Sequence, residues 1–272
     1  MTPKRARRPT AAELAAAVDT RLRRAGIPAR AEGEKRYLKS DLTFYGVGRP
    51  GIREIVGAVL EEHADSATYP GFAGQGCPLD RRQALATARA LWAPAVHERR
   101  CAAIHLLDRH AALLQPADLA LVERFIRQSR TWALVDWLAI PVAGALVERL
   151  PELESELDRW AVDSDFWVRR SALLALLSAL RRGEGDFARF GRYADAMLDE
   201  REFFIAKAIG WVLRELAKKR PALVVDWLLP RADRASAVTR REAVKYLPGR
   251  DRARIARAAA AAPSRGRSES GA

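Results

Sequence analysis

The fold of this 272-residue chain is decided by a motif that occurs twice, as DFWVRRSA at residues 165–172 and as EFFIAKAI at residues 202–209. Each copy has an acidic residue, two aromatic residues, a cation within the next turn and then a long apolar run. Weaker copies lie at residues 99–103 and 240–244. Helical motifs spaced by 34–37 residues are typical of α-helical repeat proteins, whose neighbouring units bury one another's apolar faces.

Repetition also places the same helix position of every unit on one surface. In this chain that position holds a cation in each copy of the motif. The sequence therefore predicts a row of cations along one face: Arg100, Arg170, Lys207 and Arg241.

Nearly all of the remaining sequence also predicts helix. No run alternates with a period of two for long enough to predict a sheet, and Pro and Gly separate the helical segments. We therefore expect an all-α fold, a helical-repeat superhelix with a concave basic face. Residues 69–78, rich in Gly and Pro, are predicted to be a loop. The predicted helices are 11–25, 31–40, 52–63, 79–92, 95–112, 117–128, 131–149, 153–162, 166–182, 187–199, 203–220, 222–229 and 236–247.

The net charge of +13 is concentrated at the two ends of the chain. Residues 1–10 and residues 249–272 contribute +4 each, so about +5 remains between them. Such ends either attract a polyanion in a salt-sensitive way or only confer solubility. We expect a basic disordered tail at residues 1–10, a single domain over residues 11–258 and a second disordered tail at residues 259–272.

Cysteine, histidine and hydropathy patterns predict no metal, cofactor or membrane segment. Cys77 and Cys101 are too few for a disulfide framework or a thiolate metal cluster. The four histidines are scattered without metal-ligand spacing. No segment approaches the roughly 18 apolar residues of a membrane span. We expect a cytoplasmic, nucleoid-associated monomer.

The helix predicted over residues 131–149 carries a carboxylate that packing alone does not explain. Asp136 follows Trp132 by four residues, so the two side chains share a helix face. Asp136 lies beyond the first turn, which argues against an N-cap role. A carboxylate between Val135 and Trp137 is costly to bury without a partner. The structural alternative is an ion pair with Arg130 or with a cation on a neighbouring helix.

Trp211 lies one turn after Lys207, at the edge of the apolar stripe of its helix. A packing role is the alternative for this tryptophan. The register of the repeat, however, predicts that Trp132, Asp136, Arg170 and Trp211 open onto the same face. We therefore expect these four residues to form one cleft.

At these positions the chain resembles the AlkD-type DNA glycosylases, the HEAT-like-repeat enzymes of DNA alkylation repair. The resemblance spans most of the chain and rests on four pieces of sequence. These are RYLK at residues 36–39, the helix with Trp132 and Asp136, WVRR at residues 167–170, and EFFIAKAIGWVLRE at residues 202–215.

The resemblance implies a monofunctional glycosylase that hydrolyses the N-glycosidic bond of cationic N3- or N7-alkylated purines in duplex DNA. It implies a lesion that is not fully flipped, and tolerance of bulky alkyl adducts. It assigns catalysis to Asp136, which faces the reacting carbon, and to Trp132 and Trp211, which flank the sugar of the damaged nucleotide. Arg170 would hold the backbone phosphate.

The remaining expected DNA-binding residues are Lys207, Arg100, Arg241 and Tyr37, the last from its match to a tyrosine near the same cleft. No lysine adjoins Trp132 or Asp136, so we expect no Schiff-base lyase step. The alternative function is a non-catalytic repeat scaffold that binds DNA or protein. Such a scaffold would have no need of Asp136, which repels phosphate, and release of a base from methylated DNA would exclude it.

Overall fold

The computed structural model describes residues 8–63 and 79–261. Within these ranges the regular secondary structure is helical, apart from an isolated parallel bridge between Thr43 and Val96. The predicted all-α fold is confirmed. The predicted loop at residues 69–78, Cys77, and most of the two predicted tails lie outside the described residues.

The chain divides into two compact units, Met1–Leu146 and Val147–Ala272. The prediction of a single domain over residues 11–258 stays a prediction. The described helices that begin in the first unit are α1 (Ala11–Arg24), α2 (Pro28–Leu38), α3 (Arg49–Glu62), α4 (Arg81–Trp92), α5 (His97–Arg109), α6 (Leu119–Ser129), α7 (Trp132–Leu138) and α8 (Gly144–Arg149), the last of which ends in the second unit. The described helices of the second unit are α9 (Glu154–Trp160), α10 (Phe166–Ala175), α11 (Leu177–Arg182), α12 (Phe187–Ala196), α13 (Phe203–Ala217), α14 (Pro221–Leu228), α15 (Ala237–Ala243) and α16 (Gly249–Ala260).

Contacts between neighbouring repeats recur at the predicted spacing inside each unit. Several side-chain pairs are separated by 34–37 residues, as expected if each helix meets its equivalent in the next repeat. Examples are Arg81 with Asp118 and Trp92 with Gln128 in the first unit, and Tyr193 with Asp158, Arg234 with Asp199 and Lys207 with Glu242 in the second.

The acidic residue of the repeated motif begins its helix in both copies. The Asp165 carboxylate accepts a hydrogen bond from the Trp167 amide at 2.8 Å, and Glu202 accepts one from Phe204 at 3.1 Å. Each carboxylate satisfies an amide that lacks a partner within the helix and interacts favourably with the helix dipole. The sequence repeat is therefore also a repeat of local structure.

Most predicted helices begin and end within a few residues of the observed ones, and three segments differ more. The helix predicted over residues 131–149 contains a π-helical turn, Ala139–Ala143, around Pro141, which has no N–H for the regular helical hydrogen bond. The segment predicted as one helix over residues 166–182 is divided at Leu176 into α10 and α11. The sequence predicts no helix beyond residue 247, whereas α16 buries Ile255 and begins directly after Pro248.

Candidate functional site

Trp132 and Tyr37 form an aromatic pair in the first unit. Trp132 is the first residue of α7 and is half-buried, whereas Tyr37, near the end of α2, is 72% exposed. The ring centroids are 6.1 Å apart and the rings meet edge to face at 87°, a favourable arrangement for aromatic rings. The pair joins two of the site residues expected from the sequence and leaves the tyrosine ring accessible to a ligand.

Asp136 lies one turn after Trp132 on α7 and is 8% exposed. The spacing of four residues keeps the two side chains on one helix face. Since most of the residue is removed from water, the carboxylate acts on nearby charge through a medium of lower effective dielectric than the solvent. The N-cap of α7 is Thr131, so Asp136 does not cap this helix.

Two arginines that the sequence analysis does not single out pack against α7. The Arg49 guanidinium lies 4.6 Å from the ring centroid of Trp137, and that of Arg53 lies 5.6 Å from it. Arg49 Nη2 also donates to the Ala133 carbonyl at 3.0 Å. The spacing of these arginines, four residues apart at the start of α3, is the signal that could have indicated them. They fix the position of α7 relative to α3.

Two titratable groups of α5 lie close to Trp137. Burial raises the pKa of Asp108, although the charge of Arg53 and a hydrogen bond from Trp137 act in the opposite direction. Burial, assisted by the charges of Arg109 and Arg53, lowers the pKa of His105 to about 4. The His105 ring lies 6.3 Å from that of Trp137 and is neutral at pH 7. These groups support the helix that carries Asp136.

The four cations of the predicted row differ in their surroundings. In the first unit, Arg100 is half-buried, donates to the Gln128 carbonyl at 2.8 Å and stacks 4.9 Å from the Trp92 ring. In the second, Arg170 is 2% exposed and its Nη1 donates to the Phe204 carbonyl on the next repeat. Arg170 therefore also has a structural role in joining α10 to α13.

Lys207 and Trp211 lie on α13, and Lys207 pairs with a buried acidic residue of α15. The Glu242 carboxylate accepts hydrogen bonds from Lys207 at 2.7 Å, Arg214 at 2.6 Å and Lys245 at 3.0 Å. Burial alone would raise the pKa of Glu242, but hydrogen bonds from the two lysines and their charges lower it to about 2. Three cations thus surround one carboxylate, and Trp211 is half-buried on the same helix as two of them.

Arg241, on α15 next to Glu242, is exposed and forms no ion pair within residues 8–63 and 79–261. The structure thus brings together Tyr37 with Trp132 in the first unit and Lys207 with Glu242 in the second. The prediction that Trp132, Asp136, Arg170 and Trp211 share one cleft involves residues of both units and stays a prediction.

The described residues contain neither a candidate metal centre nor a candidate membrane span. They contain no group of three or more His, Cys, Asp and Glu side chains able to hold a metal ion. Nor is any helix among them long and apolar enough to cross a membrane.

Comparison with known proteins identifies the family. The chain is similar in structure to a protein described as a predicted DNA alkylation repair enzyme from Enterococcus faecalis, with a TM-score of 0.70, 23% sequence identity, and coverage of 82% of this chain and 97% of that one. It is also similar to smu.31 from Streptococcus mutans, with a TM-score of 0.53, 16% identity, and coverage of 72% of this chain and 100% of that one. At these identities the likeness shows the fold, here an all-α helical repeat.

No curated protein matches the sequence. The sequence profile of the DNA alkylation repair enzyme family, in contrast, matches residues 18–247, which include every residue of the candidate site. The chain therefore belongs to the DNA alkylation repair enzyme family.

Proposed function

We propose that the protein is a monofunctional DNA glycosylase that removes cationic N3- or N7-alkylated purines from duplex DNA. Membership of the DNA alkylation repair enzyme family supports a role in alkylation repair. The observation that carries the specific activity is the position of Asp136, 8% exposed and one turn from the Trp132 and Tyr37 pair. A scaffold that only binds phosphates gains nothing from a carboxylate at such a position, because the carboxylate repels them.

The chemistry of an alkylated purine explains why one carboxylate suffices. A purine that already carries a positive charge is a good leaving group and does not need protonation by a general acid. As the N-glycosidic bond breaks, positive charge develops on the deoxyribose. An ionised Asp136 stabilises this charge electrostatically and orients the water that attacks the sugar carbon.

Aromatic rings stabilise the same charge. The faces of Trp132 and Trp211 attract a cation, and each such contact contributes roughly 0.5–2 kcal/mol depending on desolvation. In this proposal both tryptophans contact the sugar of the damaged nucleotide, while Arg170, Lys207, Arg100 and Arg241 bind the DNA backbone. Tyr37 extends the aromatic surface beside Trp132.

The proposed grip on sugar and backbone does not require the base to enter a pocket. Extruding a base from the duplex costs a few kcal/mol and restricts an enzyme to bases that fit its pocket. A glycosylase that leaves the lesion largely stacked avoids this restriction. We therefore propose that the substrates include purines with bulky alkyl adducts.

Release of a base from a defined duplex tests the proposed function. The protein is incubated with a duplex that contains a single 7-methylguanine, and the free base is quantified against the spontaneous loss in a reaction without protein. We expect release well above the spontaneous rate and, with borohydride present, no covalent protein–DNA species. Tight DNA binding without any release would support the non-catalytic scaffold, and a trapped covalent species would contradict a monofunctional enzyme.

A further inference from the structure

A basic cavity lies in the first unit. It has a volume of about 540 Å³ and lies between the C-terminal ends of α2, α4 and α6 and the start of α5. Four cations and one carboxylate line it: Lys39, Arg100, Arg127, Arg130 and Asp41. Because cations exceed acids in its lining, the cavity favours an anionic ligand.

Two of these cations have no partner within residues 8–63 and 79–261. Among the described residues, the side chains of Lys39 and Arg130 form neither a hydrogen bond nor an ion pair. Arg127, by contrast, pairs with Glu123 at 2.6 Å. Lys39 and Arg130 are both exposed at the cavity, so their charges are available to a ligand.

The backbone conformation of the same two residues is unusual. Lys39 has a φ of 47° and Arg130 a φ of 48°, and they are the positive-φ residues other than glycine in the described chain. Each follows a helix in the left-handed conformation that favours Gly, which pays no steric penalty there. A long cationic side chain at both positions therefore opposes the local backbone preference, as happens where function selects the side chain.

The third cation is held at the cavity by neighbouring groups. Arg100 stacks on Trp92 and donates to the Gln128 carbonyl, and the Trp92 indole N–H donates to the Gln128 side chain at 2.7 Å. Burial and the nearby charge of Arg130 lower the pKa of Arg100. A bound anion would relieve the repulsion between the two guanidinium groups. It would also meet Arg100 already held in position as a hydrogen-bond donor.

We propose that the Lys39, Arg100 and Arg130 cavity binds a phosphodiester of the DNA backbone close to the nucleotide held by Tyr37 and Trp132. Tyr37 precedes Lys39 by two residues, and Trp132 follows Arg130 by two, so the aromatic pair and the cavity share their supporting segments. The proposal rests on DNA as the partner in the proposed function. It adds Lys39 and Arg130 to the DNA-binding residues. The carboxylate of Asp41, which also lines the cavity, would repel the phosphate.

The competing explanation is structural. A cation at a helix C-terminus stabilises the helix by interacting with its dipole, and Lys39 and Arg130 both occupy such positions. Replacement by Gly separates the two roles. Gly removes the charge but suits the positive φ. If the cations act only on the helix dipole, Lys39→Gly and Arg130→Gly should lower the Tm. If they bind DNA, the two variants should have an equal or higher Tm and a weaker affinity for DNA.

The test measures binding of the full-length protein to a fluorescein-labelled, undamaged duplex at several salt concentrations. A plot of log K, where K is the association constant for DNA, against log [salt] has a negative slope. Each lost phosphate contact should reduce the magnitude of this slope by about 0.9. We therefore expect a decrease of about 1 for Lys39→Gly and for Arg130→Gly, with equal weakening on damaged and undamaged duplexes. Asp41→Asn should strengthen binding.

Arg124→Gln is the matched control, since Arg124 is an exposed arginine of α6 outside the cavity lining. The proposal is overturned if the cavity variants change the slope no more than this control does. A second pair of results would also overturn it: inorganic phosphate raises the Tm of the parent protein but not that of Arg130→Gly, and Arg130→Gly binds DNA as well as the parent protein does. The cavity would then bind a free anion and not the DNA backbone. Base release is measured separately, so loss of catalysis and loss of this phosphate contact are distinguishable.

Discussion

Glu242 organises the cationic surface around Lys207, and its replacement by Gln gives a stability change whose size follows from the structure. Its side chain is 3% exposed and accepts hydrogen bonds from Lys207, Arg214 and Lys245. The pKa falls from an ordinary value of 4.5 to about 2 in the folded protein. At roughly 1.4 kcal/mol per pH unit, this difference corresponds to about 3 kcal/mol of folding free energy at pH 7, a large part of the stability of a typical domain.

The sign of the pH dependence follows from the lowered pKa. The contribution is fully present above pH 4.5 and is lost as the pH falls through the folded value of about 2. We therefore expect urea unfolding to show that Glu242→Gln costs about 3 kcal/mol at pH 7 and less than about half of that at pH 3.

The control is Glu62→Gln, which removes a surface carboxylate paired with Arg21 at 53% side-chain exposure. Because solvent screens this exposed pair, the change should destabilise the protein much less than Glu242→Gln does. A loss below about 1 kcal/mol for Glu242→Gln at pH 7, or an equal loss at pH 7 and pH 3, would refute the reasoning about the buried carboxylate.

Two further substitutions, each with a control, test the packing that supports the site. Gly210→Ala places a Cβ 2.7 Å from the Glu242 Cβ and 2.8 Å from the Thr239 carbonyl oxygen, so we expect urea unfolding to show a loss of about 1–3 kcal/mol. Gly57→Ala is its control, because nothing lies within 4 Å of the added Cβ, and it should gain about 0.5–1 kcal/mol from the helical preference of Ala. Glu98→Gln disrupts a fully buried carboxylate that accepts hydrogen bonds from the amides of Tyr45, Gly46 and Val47. We expect it to lower the free energy of unfolding by about 2–3 kcal/mol. Its control, Glu54→Gln, changes an exposed residue and should have little effect. If Gly210→Ala proved as stable as Gly57→Ala, or Glu98→Gln as stable as Glu54→Gln, these close contacts would not be structurally important.

The repeat could be predicted because sequence and structure share its period. Asp165 and Glu202 occupy equivalent positions in the sequence and equivalent N-caps in the structure. The all-α class follows from helical periodicity alone. The π-helical turn at Pro141 could not be predicted from the sequence. A Pro within a helix can end the helix, bend it or be accommodated by a wider turn, and packing decides which of these occurs.

The surroundings of the site residues could be predicted only in part. Spacing on one helix places Asp136 one turn from Trp132, and resemblance to a family supplies Tyr37, which does contact Trp132. Spacing does not reveal which residue a cation meets on another helix. Arg170 and Arg241 are equivalent in the repeat, yet one is buried against Phe204 and the other is exposed.

Contacts between distant segments also account for the residues that the sequence analysis did not single out. Arg49 reaches α7 across 84 residues of sequence. Lys39 and Arg130 are 91 residues apart but line the same cavity. Local spacing does not show which distant segment such a residue meets, since these contacts arise when helices that are separate in the sequence pack together.

The most direct test of the proposed mechanism compares base release by the parent protein and by Asp136→Asn under single-turnover conditions, on a duplex that contains 7-methylguanine. Asn retains the shape of the side chain but removes its charge. Loss of one well-placed electrostatic group typically slows a reaction by about 100–1000-fold, so we predict at least about a 100-fold lower rate with DNA affinity retained. Equal rates of base release for the two proteins would contradict the assignment of Asp136 as the catalytic carboxylate.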